Sequence, residues 1–273
     1  MHKFFIEKLN LFVYVRKMYY LCKVKLYNSL KNNNPVKTLK IILLATSLLV
    51  STSSVFSAER WLENYKKVLV IGAHPDDPET VCGGTMLKLK ALGAEVVTVY
   101  FTSGEAGIAG KSHEEARAIR QEEAKNACEV MGVRSVFMTQ VDGNTEVNKA
   151  RYDEMKALIE AEKPDMVITH WPIDSHRDHR VCAMLVYDAW RRTGYSFDLY
   201  YGEAMSGLQS QNFVPTLWVD ITEYREQKDK ACRCHVSQGM DEIKVWHDAM
   251  EIMRGLEHHC KYGEAFIKQQ WKD

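Results

Sequence analysis

Short apolar runs, each followed by a segment with helical spacing, govern what this chain can fold into. Lys67–Gly72 (Lys-Val-Leu-Val-Ile-Gly) is continuously apolar after its first residue, as a strand buried on both faces must be. Helical spacing then runs over Cys82–Leu92 and closes at Gly93, a suitable C-cap. Glu95–Thr102 reads as the second strand, and the Ser103–Lys111 loop after it holds Gly104, Gly107 and Gly110. A long helix is expected over Ser112–Gly132, where Ser112 and Glu115 have the spacing of a capping box. Ser135–Thr139 with Asn148–Glu162 repeats the strand–helix pair, as does Asp165–His170 with a helix from about Arg177 to Arg192. The last third is mixed, with strands at Phe197–Gly202 and Thr216–Asp220 and helices at Glu223–Val236 and Met240–Leu256.

Strands that alternate with helices in this way pair in parallel, because each helix carries the chain back across the sheet. The predicted fold is therefore α/β: a Rossmann-like, mainly parallel sheet with helices on both faces, a three-layer sandwich. An apolar fraction of 46% in 273 residues is enough to bury such a core. Lys+Arg and Asp+Glu both number 36, so no global field favours nucleic acid or an anionic surface, and no nucleic-acid partner is expected. The cysteines (Cys22, Cys82, Cys128, Cys182, Cys232, Cys234, Cys260) form no Cys-x-x-Cys pair and read as small core residues, with a disulfide left open.

Residues 37–58 have a different logic. Lys37 and Lys40 precede an apolar stretch from Ile41 to Val50, and small residues follow as far as Ser57-Ala58. That is the layout of a secretory signal peptide. It predicts an exported protein, periplasmic or extracellular, with no stable membrane insertion once the segment is cleaved. Residues 1–36 are then an N-terminal extension, explained most simply by a start downstream of Met1. A long n-region or a retained anchor are the alternatives. Residues 59–273 form the folded domain.

In an open sheet of this type the site lies beyond the carboxyl ends of the strands. Two polar clusters fall there. Ala73-His74-Pro75-Asp76-Asp77-Pro78-Glu79 directly follows the first strand and offers an imidazole and several carboxylates, a donor set suited to zinc. Adjacent aspartates invite different roles, one as a metal ligand and the other as a proton acceptor. The plainer reading is a strand-to-helix turn capped by Asp77 or Thr80. His176-Arg177-Asp178-His179 follows the fourth strand, and residues three apart on a helical turn face one volume. Asp178 is placed to orient a histidine or fix its tautomer.

With these residues in view, the chain resembles the LmbE/PIG-L family of zinc-dependent N-deacetylases, which carry Ala-His-Pro-Asp-Asp-Glu after the first strand and His-x-Asp-His later. The likeness continues through Thr102-Ser103-Gly104-Glu105-Ala106-Gly107, Arg120-Gln121-Glu122-Glu123, and a late Lys228…His235-Val236-Ser237-Gln238. It implies His74, Asp77 and His179 as ligands of zinc, or of another divalent metal such as Fe2+. It also implies Asp76 as general base, His176 as acid or oxyanion stabiliser, and Asp178 as the residue that orients His176. Glu105 and Arg120 would line the substrate side. Pro78 separates Asp77 from Glu79, a departure that leaves the role of Glu79 open. The implied reaction is removal of an N-acetyl or other N-acyl group from an amino-sugar substrate, small or part of a glycoconjugate. Two alternatives share the fold: a non-catalytic glycan-binding module and a metallohydrolase of another amide. A dehydrogenase is disfavoured because the first loop lacks Gly-x-Gly-x-x-Gly.

Overall fold

The computed structural model describes residues 59–270, and residues 1–36 and 37–58, with the expected extension and signal segment, lie outside them. The strands are β1 (Lys67–Gly72), β2 (Glu95–Thr102), β3 (Arg134–Gln140), β4 (Met166–His170), β5 (Asp198–Gly202), β6 (Leu217–Asp220) and β7 (Gly263–Lys268). The helices are α1 (Asp77–Ala91), α2 (His113–Met131), α3 (Lys149–Glu162), α4 (Arg177–Arg192), α5 (Arg225–Cys232) and α6 (Met240–Glu257). They form a seven-stranded sheet of order β3-β2-β1-β4-β5-β7-β6. β1 to β5 are parallel, with Val70 level with Thr98 of β2 and Ile168 of β4, while β7 runs antiparallel to both β5 and β6. This is the α/β fold expected from the sequence. The strand order reverses between β1 and β4, so their carboxyl ends open onto a crevice.

Alternation along the strands assigns the two faces. Leu69 and Ile71 of β1, with Ala73 just beyond it, join Val97, Val99 and Phe101 of β2 and pack on Met155 and Ile159 of α3 and Leu185, Val186 and Trp190 of α4. At about 1.5–3 kcal/mol for each large aliphatic side chain taken from water, this layer is the main force holding α3 and α4 to the sheet. The other face, under α1, α2 and α5, is partly polar. Lys228 of α5 donates to Glu264 of β7 (2.7 Å) and to the Thr80 carbonyl (2.8 Å), and Glu251 of α6 lies 2.8 Å away. α1 kinks at Cys82 (φ −149°, ψ 27°), which frees N–H groups as a new helix start would. Glu264 takes two of them, from Gly84 (2.9 Å) and Thr85 (2.7 Å).

The capping box forms as the sequence predicts, with Ser112 and Glu115 each accepting from the other's backbone N–H. Three local expectations change. α1 begins at Asp77 rather than Cys82, α5 spans only Arg225–Cys232, and strand β7 was not foreseen. Cys82, Cys128, Cys182 and Cys232 are buried thiols. No helix among the described residues is long and apolar enough to cross a membrane.

Candidate active site

The exit of β1 is tightly built. A Cβ on Gly72 would meet Pro78 Cδ at 2.6 Å and Asp77 Cβ at 2.8 Å, so the strand end lies flush on the start of α1. The loop between them closes on itself through His74 N–H, which donates to Asp77 Oδ2 (2.7 Å). Asp76 has φ +116°, a region that costs a non-glycine residue about 1–3 kcal/mol and persists only where neighbours enforce it. Arg120 of α2 is one such neighbour: its guanidinium donates to the Pro75 carbonyl and to Asp76 Oδ2 (3.2 Å).

From the other side of the crevice, α4 brings its first turn. His176 is its N-cap, with Nδ1 accepting from Asp178 N–H (3.3 Å), and His179 follows inside the helix. His74 Nδ1 lies 3.2 Å from Asp77 Oδ2, and His179 Nε2 lies 3.4 Å from Asp77 Oδ1. The His176 ring is centred 4.8 Å from those of both His74 and His179. His74, after β1, and His179, after β4, thus come together around the Asp77 carboxylate.

The outer nitrogen of each imidazole is tied to buried acids. His74 Nε2 meets Asp142 Oδ1 (3.2 Å) and Asp178 Oδ2 (3.3 Å), while His179 Nδ1 meets Asp174 Oδ2 (3.3 Å) and the Gln209 amide (3.0 Å). Such pairing fixes which ring nitrogen keeps its lone pair inward and raises its basicity. Burial favours the neutral ring of His179, yet the Asp77 and Asp174 carboxylates carry it up to about 9. Burial likewise opposes a charge on His74, and Asp142, Asp178 and Asp77 outweigh it, holding that ring well above the usual imidazole range. A field that holds protons so firmly also suits a cation. Burial pushes the Asp76 carboxyl up to about 6, with Arg120 opposing and Asp77 reinforcing the shift.

Tetrahedral ligands about 2.0–2.1 Å from zinc stand about 3.3 Å apart. The 3.2 Å and 3.4 Å spacings of His74 Nδ1 and His179 Nε2, each from one Asp77 oxygen, are close to that figure, so either imidazole could share a zinc-like ion with this carboxylate. Other donors are close enough to share a cation, since His176 groups with His74 and His179, and His170 with Asp77 and His179. Their lone pairs are less available. His170 Nε2 already accepts from Ala73 N–H (2.9 Å), and burial, helped by His179, pulls its pKa down to about 4. His176 Nδ1 is engaged by the helix backbone.

The other expected residues fall differently. The Asp178 carboxylate does not bond the His176 ring; it accepts from Gly143 N–H (2.8 Å) and Thr145 Oγ1 (2.7 Å) and backs His74, while only its backbone N–H reaches His176. Glu105 is turned inward, accepting from Ser103 N–H (3.0 Å) and Arg117 (2.9 Å), and it scaffolds its loop instead of lining the cleft. Arg120 does line the cleft, although its side chain is only 3% exposed and its bonds go to Pro75, Asp76 and Gly104. Asp142, Asp174 and His170 were missed by sequence reasoning. Asp142 sits in Val-Asp-Gly-Asn and reads as a turn, and His170 reads as the end of a strand. The cleft has a volume of about 370 Å³ and opens between His74, Asp76, Asp142 and His176 on β-strand loops and α4, Ala106 and Gly107 on the glycine loop, and Gln238.

Comparison with known proteins identifies the family and the fold. Residues 69–190 match the family model PIG-L, described as GlcNAc-PI de-N-acetylase. The diacetylchitobiose deacetylase of Thermococcus kodakarensis is 31% identical over 207 residues, 70% of this chain and 77% of that protein. The chain belongs to the PIG-L family. Among solved structures, the N,N'-diacetylchitobiose deacetylase of Pyrococcus horikoshii superposes with a TM-score of 0.68 at 26% identity, over 82% of this chain and 91% of that one. The 4-carboxy-2-hydroxymuconate hydratase GalB of Pseudomonas putida KT2440 also gives a TM-score of 0.68, over 76% of this chain and 98% of that one. Its 20% identity speaks for the fold alone.

The glycine loop after β2 contains a point of high sensitivity. Gly104 has φ +65°, and a Cβ there would lie 2.3 Å from Arg120 Nη1. Gly104→Ala therefore strains the backbone and displaces the guanidinium that holds Asp76. We expect a loss of about 2 kcal/mol, or roughly 4–8 °C in Tm for a chain of this size. Thermal denaturation measures it, and an unchanged Tm would show that the loop yields freely.

Proposed function

We propose that this protein is a metal-dependent N-deacetylase, in which His74, Asp77 and His179 hold a zinc ion and an N-acetylated amino sugar is the substrate. The observation that carries the reading is the set of two imidazole nitrogens facing one carboxylate, each ring backed by a buried acid, with His74 opening onto a polar cleft. Similarity to deacetylases that act on diacetylchitobiose supports the choice of an amino-sugar amide. A zinc ion held by these residues supplies Lewis-acid polarisation of the amide carbonyl and lowers the pKa of a water toward about 7.

The chain's own residues do the rest. Asp76, in contact with Arg120 and lining the cleft, accepts a proton from the attacking water as its oxygen bonds to the acyl carbon. Because His176 Nδ1 accepts from the Asp178 N–H, its neutral ring carries the proton on Nε2, where it serves as a donor to the oxygen that gains negative charge. The carbon–nitrogen bond then breaks. The nitrogen takes up the proton removed from water, giving a free amine and acetic acid, which ionises to acetate by releasing its proton to solvent. Asp178 and Asp142 behind His74, and Asp174 behind His179, keep the two rings oriented. The signal-like segment at residues 37–58 makes an exported enzyme the accompanying proposal.

The test is acetate release from N,N'-diacetylchitobiose and other N-acetylglucosamine conjugates before and after a strong chelator, and after zinc is restored. Loss on chelation with recovery on zinc addition is expected. Full turnover without metal would overturn the metal centre, and sugar binding without any acetate would leave a glycan-binding module.

A further inference from the structure

Glu79 follows the metal-site motif by two residues, yet it faces away from the chemistry. It is fully buried (0% exposed), and Tyr100 donates its hydroxyl to Oε1. Tyr100 is itself pinned by stacking on Phe137 (centroids 5.0 Å apart) and by Cys128 Sγ at 3.4 Å. Glu79 Oε2 lies 3.4 Å from Nε2 of His235, another residue at 0% exposure. His235 begins the short turn that ends in Gln238, whose N–H donates to the His235 carbonyl (3.1 Å). A second carboxylate grips the same turn, since Glu123 of α2 accepts from both the N–H and the hydroxyl of Ser237, each at 2.7 Å. Gln238 lines the cleft. Its amide nitrogen donates to Ser237 Oγ (2.9 Å) and, at 3.4 Å, to the Gly107 carbonyl, while its amide oxygen takes no hydrogen bond among the described residues.

We propose that Gln238 orients the hydroxyl-bearing sugar in the cleft, and that Glu79 is a positioning residue that holds it there through His235, with Glu123 as the second anchor. The proposal rests on the amino-sugar deacetylase reading above. It gives Glu79 a task unconnected with the cation. A buried carboxylate is a costly way to fill space that an apolar side chain would fill better, and what it adds is direction. One oxygen takes a directional hydrogen bond from the Tyr100 hydroxyl, and the other faces the His235 imidazole at 3.4 Å as a charge partner. The turn it supports lies outside the 69–190 segment matched by the family model, so this wall of the cleft is supplied by the C-terminal third of the chain. An amide is the natural reader of a sugar, because it both donates and accepts.

The experiment compares Glu79→Gln, Gln238→Ala and the double variant in the full chain with N,N'-diacetylchitobiose. Gln238→Ala is expected to raise KM about tenfold, as the loss of one or two hydrogen bonds to substrate would, with zinc content retained. Glu79→Gln is expected to do the same, and the double variant to be no worse than either single one, since both remove the same contact. Fully additive effects, or a loss confined to kcat, would overturn the proposal. An independent readout is the side-chain amide NMR signal of Gln238, assigned by its disappearance in Gln238→Ala. That signal is held away from the position of a solvent-exposed amide in the wild type and moves to it in Glu79→Gln. If Glu79→Gln does not accumulate as folded protein, His235→Gln takes its place in both measurements. An unmoved signal sinks the positioning role whatever the enzyme turns over, whereas a wild type that releases no acetate sinks the deacetylase reading and leaves the NMR result standing.

Discussion

Asp76→Asn should keep its zinc and its fold and lose roughly 10²–10⁴ of its turnover, the range for removal of a general base. Asparagine is the informative replacement for three reasons visible at the site. It retains an acceptor for the Arg120 guanidinium, which lies 3.2 Å from Asp76 Oδ2. It tolerates positive φ better than most residues, and Asp76 sits at +116°. It removes the ability to take a proton and little else. The measurement is kcat on N,N'-diacetylchitobiose together with metal content by elemental analysis. A variant with stoichiometric zinc and near-normal kcat would move the base elsewhere. One that had lost zinc would show Asp76 to be a ligand.

His179→Ala should release the metal and abolish turnover. The change removes the Nε2 that faces Asp77 at 3.4 Å and also takes one partner from Asp174, which the same ring meets at 3.3 Å. A graded partner sharpens the result. Asp174→Asn leaves the ring in place and weakens only what stands behind it, so its zinc affinity should fall by roughly 10–100-fold. His179→Ala should fall further still. Zinc retained by dialysed protein, and competition with a chromogenic chelator, read both effects. If His179→Ala binds zinc as tightly as the wild type, the centre is built from other donors, and His176 with His74 would be the next pair to replace.

Much of the architecture was legible because physical demands wrote it plainly. A strand covered on both faces, such as Val68–Ile71, has no room for polar alternation and so announces itself. The capping box at Ser112 and Glu115 and the αL Gly132 that ends α2 follow local rules. The two clusters at strand ends were legible for the same reason, since topology fixes where strand ends go. Three kinds of feature were not. β7 carries the buried Glu264, whose partners Lys228, Gly84 and Thr85 lie far away in sequence, so no local pattern marks the segment as an interior strand. α1 continues through the non-helical Cys82 because Glu264 caps the N–H groups freed there, a tertiary rescue that spacing cannot report. Asp142, Asp174 and the true partner of Asp178 depend on distances between loops, and the buried Glu105 shows the converse, a motif residue whose work is structural.

The position of β7 has an outcome of its own. β5 and β6 are successive in the chain, yet β7, from residues 263–268, is wedged between them and separates them by hydrogen bonds on both edges. Until that segment arrives, β6 has no neighbour, the kinked helix that follows the His74–Asp77 loop lacks its cap, and Lys228 lacks one of its two counter-charges. Assembly of the catalytic end is therefore gated by a contact spanning 180 residues, the kind of distant closure that slows folding. A protease cut or stop codon near residue 260 would remove a keystone from the middle of the sheet, and affinity tags are safer kept clear of that strand.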